Sequence, residues 1–222
     1  IHHDNLYLRN IAWGLNQISY GSENELYVNG HVTGNSPYLT FEWKAGKDGE
    51  HHEVKTQLIG EYNFANALAA VTIGHFFDVE SERIDTALKE YTPQNNRSQL
   101  KQTADNTLII DAYNANPTSM QASISNFHNM EIDNKMLILG DMRELGKDGP
   151  EEHQKIVDFL TKCGFKDVML VGEQFAAARH DFPTYPDASA VIEALQKNKP
   201  HGKTILIKGS NGIKLSTVID YL

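Results

Sequence analysis

At 222 residues the chain is long enough for one large domain or two small ones, and a hydrophobic content of 40% is enough to give each a core. The formal net charge of −9, with no basic cluster along the sequence, argues against a nucleic-acid-binding or anionic-membrane surface. No apolar run approaches the roughly 18 residues that a membrane-spanning helix needs. The single cysteine, Cys163, excludes an internal disulfide, so a reducing cytoplasm is the expected location. No set of suitably spaced ligand residues predicts a metal site.

The N-terminal half is predicted to form antiparallel hairpins followed by two helices. From Asn5 onwards, short alternating runs separated by Gly, Asn and Asp turns predict strands at residues 16–21, 25–30, 38–44 and 51–58. Apolar residues at helical spacing predict a helix from about Asn63 to Phe77, and a second helix is expected to begin with Ser81 as its N-cap. The segment 92–96, TPQNN, is interpreted as a linker.

The C-terminal half alternates strands and helices in the pattern of a doubly wound α/β domain. A hairpin is expected over residues 98–111, and short continuous apolar runs predict parallel strands at residues 107–111, 135–140, 167–172 and 204–209. Helix starts are indicated at Asn116 with Pro117, at Gly149 with Pro150, at Asp187 and at Ser210. We therefore predict a mostly parallel, Rossmann-like sheet with helices on both faces.

Ligands of such sheets bind beyond the carboxyl ends of the strands, and polar residues are concentrated there in this sequence. The strands are followed or ended by Asp111, Asp141, Glu173 and Lys208, the last with Gly209 and Ser210. Asn116 is expected to cap the helix that follows Asp111. A cap or a turn explains one polar residue of the segment 111–116 but not all four, so both a structural and a ligand-binding interpretation stay open for this loop.

Other short motifs are weaker. The segment KGSNG at 208–212 suits an anion or a carboxylate. The segment HGKT at 201–204 is not a phosphate loop, because Lys197 stands where the first Gly would be and the motif precedes a strand. No GxGxxG follows a strand, which disfavours a dinucleotide-dependent oxidoreductase.

Five motifs occur in the order and with the approximate spacing seen in the Mur ligases, and the chain resembles that family over nearly its whole length. They are GEYNFANALAA at 60–70, NNRSQL at 95–100, DAYNANPTSM at 111–120, LGDMRELG at 139–146 with EHQ at 152–154, and IKGSNG at 207–212. The third and fourth motifs are similar to those of the member that adds D-alanyl-D-alanine.

The resemblance implies a three-domain enzyme, of which residues 1–94 form the hairpin and helical end of a central ATPase domain and residues 95–222 the C-terminal domain. The implied reaction is an ADP-forming ligation in peptidoglycan precursor synthesis. ATP with Mg²⁺ activates the carboxylate of UDP-N-acetylmuramoyl-tripeptide as an acyl phosphate, and the amine of D-alanyl-D-alanine attacks it. The missing domains of the same polypeptide would be further partners.

Matching positions imply roles for individual residues. Asn63 and Asn66 would meet the adenine, Arg97 the phosphates and Asp111 the ribose, with Tyr113 also at the nucleotide. Candidates for catalysis are Arg97, Asp141 and Lys208, and candidates for substrate binding are Asn114, Asn116, Glu144 and Ser210. The residue types agree with these roles, because a guanidinium suits phosphate oxygens and an Asn amide can pair with a base edge.

The chain also departs from the family pattern. Tyr62 stands where the family usually has His, and the 222 residues contain no GxxxxGK[ST], no lysine in the context of a carbamylated metal bridge and no uridine-nucleotide domain. The N-terminus has neither an initiator Met nor a signal-peptide layout and begins inside a patterned segment, which predicts an excised piece of a longer protein. The chain alone is therefore expected to be inactive. The alternative is a stand-alone, noncatalytic nucleotide-binding or peptide-binding module.

Overall fold

The computed structural model describes residues 1–94 and 96–222, which form two compact units, Ile1–Thr92 and Pro93–Leu222. Each unit has its own sheet and its own hydrophobic core. The predicted first residue of the C-terminal domain, position 95, lies outside the described residues.

The first unit is built on a four-stranded sheet in the order β1-β2-β3-β4. Its strands are β1 (Tyr20–Gly21), β2 (Val28–Asn35), β3 (Tyr38–Ala45) and β4 (His52–Ile59). The last three are antiparallel neighbours, as predicted. The prediction is wrong for β1, which pairs with β2 in parallel, because the connection between them returns the chain to the same end of the sheet instead of making a tight turn.

Three helices accompany this sheet. The alternation-based prediction missed α1 (Leu6–Ile11), which begins where the Asn5 side chain accepts a hydrogen bond from the Leu8 N–H. Helix α2 (Phe64–Phe76) agrees with the prediction to within one residue at each end. Helix α3 (Ser81–Glu90) starts where expected, but Glu80 occupies the N-cap position and makes no side-chain cap bond, so Ser81 is not the cap.

The second unit contains a six-stranded sheet in the order β5-β6-β10-β7-β8-β9. Its strands are β5 (Gln99–Gln102), β6 (Thr107–Asp111), β7 (Lys135–Gly140), β8 (Val168–Val171), β9 (Thr184–Tyr185) and β10 (Thr204–Lys208). Only β5 is antiparallel to its neighbour, which confirms the predicted hairpin followed by a doubly wound sheet. The prediction missed β9, because two residues are too few to give an apolar run.

Helices α4 (Pro117–Asn129), α5 (Gly149–Lys162) and α7 (Ala188–Lys197) begin at the predicted signals, and a short α6 (Glu173–Ala177) was not predicted. Ser210 precedes 3₁₀ turns instead of an α-helix, and its side chain caps neither. Both Ile205 and Leu206 of β10 are buried although neighbouring side chains point to opposite faces, so the sheet is covered on both sides. No helix in the described part of the chain is long and apolar enough to cross a membrane.

Candidate functional site

A buried ion pair lies at the carboxyl edge of the second sheet. Because β10 lies between β6 and β7, the last residues of two strands are in register, and Lys208 is beside Asp111. The Lys208 Nζ is 2.6 Å from Asp111 Oδ2, and the Ser123 hydroxyl donates to the same oxygen at 3.2 Å. The Lys208 side chain is 2% exposed, whereas the Asp111 side chain is 14% exposed. Within the described residues Asp111 Oδ1 accepts no hydrogen bond, so this carboxylate is fixed on one side and open on the other.

The loop that follows Asp111 is partly held by its own polar groups. Lys208 Nζ also donates to the Asn114 carbonyl at 3.3 Å, and the Asn114 side chain accepts from the N–H of the next residue at 2.8 Å. Asn116 caps α4: its Oδ1 accepts from the Ser119 N–H at 2.8 Å, and the Ser119 hydroxyl accepts from the Asn116 N–H at 3.2 Å. The predicted cap is thus confirmed, while substrate-binding roles for Asn114 and Asn116 stay predictions.

Arg97 and Tyr113 form an exposed stack at the same edge. The Arg97 Cζ lies 3.8 Å from the centroid of the Tyr113 ring. The guanidinium face contacts the ring, but its N–H groups lie in the guanidinium plane and remain able to donate. Arg97 is exposed and makes no ion pair with any residue in the described ranges, so its N–H groups are accessible to a ligand.

Asp141 joins the loops that follow β7 and β8. Its two carboxylate oxygens accept the backbone N–H groups of Gln174 at 2.9 Å and Phe175 at 3.0 Å, in the first turn of α6. A Cβ at Gly172, where φ is +121°, would lie 2.3 Å from this carboxylate, so glycine is required there. The contacts of Asp141 fix these loops, and its predicted part in catalysis stays a prediction.

His153, at 0% exposure, supports the loop that follows β7. Its Nδ1 donates to the Gly149 carbonyl at 2.6 Å, which leaves Nε2 to accept the Met142 N–H at 3.0 Å. The ring is therefore neutral, and the 3.6 Å approach of Nε2 to Asp141 Oδ1 is a contact of a neutral ring instead of an ion pair.

A cavity of about 380 Å³ opens between the loop that follows β7 and the loop that follows β8. Its lining residues include Arg143, Glu173 and Gln174. The Ser210 hydroxyl accepts the Arg143 N–H at 2.9 Å, so the predicted residue Ser210 is a buried support of the cavity wall. Glu144, also predicted, is exposed and does not line the cavity. The sequence interpretation missed Arg143, although it lies inside the motif LGDMRELG.

The remaining predicted residues belong to the first unit. Asn63 donates through Nδ2 to the Ile59 carbonyl at 2.8 Å, and Asn66 donates to Asn63 Oδ1 at 3.4 Å. The two amides are therefore neighbours at the start of α2, as their spacing predicts. A Cβ at Gly60, where φ is +95°, would lie 2.3 Å from the ring of Tyr62, the residue that replaces the expected His.

Comparison with known proteins matches this chain to one family. The family described as "Mur ligase, glutamate ligase domain" matches residues 96–211. The UDP-N-acetylmuramoyl-tripeptide–D-alanyl-D-alanine ligase of Bacillus subtilis is 28% identical over 221 residues, covering 91% of this chain and 48% of that protein. The ligase of the same name from a Synechocystis species is 26% identical and covers 100% of this chain and 49% of that protein. The chain thus spans about half the length of the curated relatives it matches.

Solved structures show the same fold. The MurF ligase of Thermotoga maritima, in complex with ADP, has a TM-score of 0.81 at 18% identity and covers 99% of this chain and 51% of that one. MurF from Acinetobacter baumannii has a TM-score of 0.80 at 24% identity and covers 97% of this chain and 48% of that one.

Proposed function

Because the chain belongs to the Mur ligase family, we propose that it is part of an ADP-forming ligase that joins D-alanyl-D-alanine to UDP-N-acetylmuramoyl-tripeptide. Relatives of that name match 91% and 100% of the chain. Residues 1–94 would complete a central ATP-binding domain and residues 95–222 would form the C-terminal domain. In this proposal the enzyme makes a peptidoglycan precursor in the cytoplasm, and the 222-residue chain alone does not turn over.

The carboxyl edge of the second sheet supports a nucleotide role for Asp111. Its Oδ2 is held by Lys208 and Ser123, so its open oxygen is fixed in direction and can accept hydrogen bonds from ribose hydroxyls. Lys208 is buried behind this carboxylate, and we assign it a positioning role there instead of direct contact with reacting groups. This fixed carboxylate at a strand end is the observation that carries the proposal.

Arg97 is suited to the phosphates of the same nucleotide. Its stack on Tyr113 at 3.8 Å orients the guanidinium, and the in-plane N–H groups can bind two phosphate oxygens at once. Bound ATP with Mg²⁺ would supply the phosphoryl group that activates the tripeptide carboxylate. The proposal also keeps the predicted adenine contact of the neighbouring amides of Asn63 and Asn66, which belong to the first unit.

The cavity beside Asp141 is suited to the incoming dipeptide. Arg143 can bind the terminal carboxylate of D-alanyl-D-alanine in a bidentate pair, and Glu173 offers an acceptor to the amine across the cavity. The hydrogen bonds of Ser210 and Asp141 to backbone N–H groups keep the walls of this cavity in place.

The test uses the complete protein that contains this chain. ADP, phosphate and ligated product are measured with each of the three substrates omitted in turn. Product should form only when ATP, the tripeptide and the dipeptide are all present. Nucleotide binding without product would support the stand-alone binding module instead and would overturn the proposal.

A second measurement separates the dipeptide site from the nucleotide site. Arg143→Gln should raise the KM for D-alanyl-D-alanine at least about tenfold, the loss of roughly 1.4 kcal/mol, with little change in the KM for ATP. Arg179→Gln removes an exposed arginine outside the cavity and serves as the matched control. An unchanged dipeptide KM in Arg143→Gln would remove Arg143 from the site.

A further inference from the structure

A second and larger cavity lies at the opposite, amino edge of the same sheet. It has a volume of about 660 Å³ and is formed where β7, β8 and β10 begin and where α7 ends. Its apolar floor includes Met136, Met169, Tyr185 and Leu195. Parallel strands direct their amino ends away from the carboxyl edge, so this cavity is separate from the site built around Asp111.

Cations are concentrated at this cavity although the whole chain carries a net charge of −9. Its lining includes four lysines and one aspartate, a net formal charge of +3 (four minus one): Lys166, Lys197, Lys199, Lys203 and Asp167. Lys197, Lys199 and Lys203 lie within seven residues of one another in the sequence. Lys166 is more than thirty positions earlier and joins them through the packing of β8 beside the end of α7. Lys203 is the lysine of the segment HGKT.

Two of these lysines are already paired and two are not. Lys203 Nζ contacts Asp167 Oδ2, and Lys199 Nζ is 2.7 Å from Asp105 Oδ2. Lys166 and Lys197 are exposed and make no ion pair within residues 1–94 and 96–222. Two uncompensated ammonium groups therefore stand beside an apolar floor.

We propose that this amino-edge cavity binds an organic phosphate monoester with an aromatic or alkyl group. A phosphate monoester carries a charge between about −1.5 and −2 at neutral pH, which balances two ammonium groups. Lysine acts as a compact point charge and is a common phosphate binder. The methionine side chains of the floor adapt their shape to an apolar ring, and their sulfur atoms contact aromatic rings favourably.

Each part of the ligand is required by a different part of the site. Inorganic phosphate alone would leave the apolar floor in water, and an uncharged ring would leave the two lysines without a counter-charge. This site does not depend on the proposed ligase reaction, because none of its charged residues lies at the carboxyl edge.

The test uses 1-naphthyl phosphate as the probe, titrated into the protein by calorimetry. It should bind with a stoichiometry of one at this site, at least about tenfold tighter than inorganic phosphate or 1-naphthol. Lys166→Gln/Lys197→Gln should weaken binding at least tenfold. Lys162→Gln/Lys214→Gln is the matched control, because it removes the same charge from one helix end and one turn outside the cavity, and it should change binding less than twofold.

Methyl resonances of methionine locate the probe independently of the variants. Met136 and Met169 line this cavity, whereas Met142 lines the cavity at the carboxyl edge. The probe should shift the first two resonances and leave the third unchanged. In the calorimetric titrations, the proposal is overturned by an absence of saturable binding, by equal weakening in both double variants, or by 1-naphthol binding as tightly as 1-naphthyl phosphate. In the resonance experiment, it is overturned by a shift of the Met142 methyl resonance without shifts of Met136 and Met169.

Discussion

The buried pair of Asp111 and Lys208 leads to a quantitative prediction about stability. Asp111→Asn removes the carboxylate from a lysine whose side chain is only 2% exposed. The buried ammonium group is then left with neutral hydrogen-bond acceptors, such as the Asn114 carbonyl. Breaking a buried pair in this way costs about 3 to 5 kcal/mol. Lys208→Met leaves the Asp111 carboxylate, which is 14% exposed and still accepts the Ser123 hydroxyl, so a smaller loss of about 1 to 3 kcal/mol is expected.

The double variant Asp111→Asn/Lys208→Met tests whether the two losses have one cause. Both charges are then absent, and the total loss should be smaller than the sum of the single losses by at least about 1 kcal/mol. Urea unfolding of the four proteins at pH 7, followed by circular dichroism, measures these differences. In thermal melts each kcal/mol corresponds to roughly 2 to 4 °C for a chain of this length.

The surface pair of Lys101 and Asp220 provides the matched control. Its atoms are 4.0 Å apart, and its side chains are 45% and 83% exposed. The same cycle there should give a coupling energy of no more than about 0.5 kcal/mol. Equal single losses and additive behaviour at Asp111 and Lys208 would show that water reaches the lysine, and the reasoning from burial would be refuted.

Three further predictions concern the loop of residues 111–116 and the amino edge of the second sheet. In the proposed ligase, Arg97→Lys keeps the charge but loses the planar stack, so turnover of the complete protein should fall at least about tenfold. Tyr113→Phe keeps the ring and should retain turnover, and near-normal turnover in Arg97→Lys would exclude Arg97 from catalysis. Asn116→Ala removes the cap of α4 and should lower the free energy of unfolding by about 1 kcal/mol in urea titrations, so an unchanged midpoint would count against the cap. The hydrogen bond from Lys199 lowers the pKa of Asp105, so the folded state binds fewer protons than the unfolded state. This stabilisation should be present above about pH 4 and lost as the pH falls further. In Asp105→Asn, the free energy of unfolding should therefore decrease less between about pH 4 and lower pH than it does in the unchanged protein.

The predictions that succeeded rest on strong local signals. The strands β6, β7, β8 and β10 are buried on both faces, and such strands read as continuous apolar runs in any sequence. The start of α4 was predictable because Asn followed by Pro satisfies the first turn of a helix locally. These features depend on neighbours in sequence, so no tertiary information was needed.

The predictions that failed depend on contacts between distant segments. The alternation around Tyr20 suggested a hairpin, but pairing direction is set by where the chain returns, which a two-residue strand does not specify. Ser210 resembled a helix cap, yet its hydroxyl bonds to the Arg143 N–H across the sheet edge. The same limit applies to the candidate site: the position of β10 between β6 and β7 brings Lys208 to Asp111, and nothing in either segment encodes that order.

The loop of residues 111–116 is held unequally at its two ends and its middle, and this affects how it can act in the proposed function. At its start, Lys208 holds Asp111 and the Asn114 carbonyl from a buried position, and at its end Asn116 is fixed to α4 by a capping box. Between these points Tyr113 carries only the exposed stack of Arg97, which is worth about 0.5 to 1 kcal/mol. A bound phosphate can therefore displace Arg97 from the ring at little cost, whereas it cannot displace Lys208 from Asp111. In the proposed function, the ribose contact would stay rigid while the phosphate contact adjusts as the reaction changes the charge at the terminal phosphate.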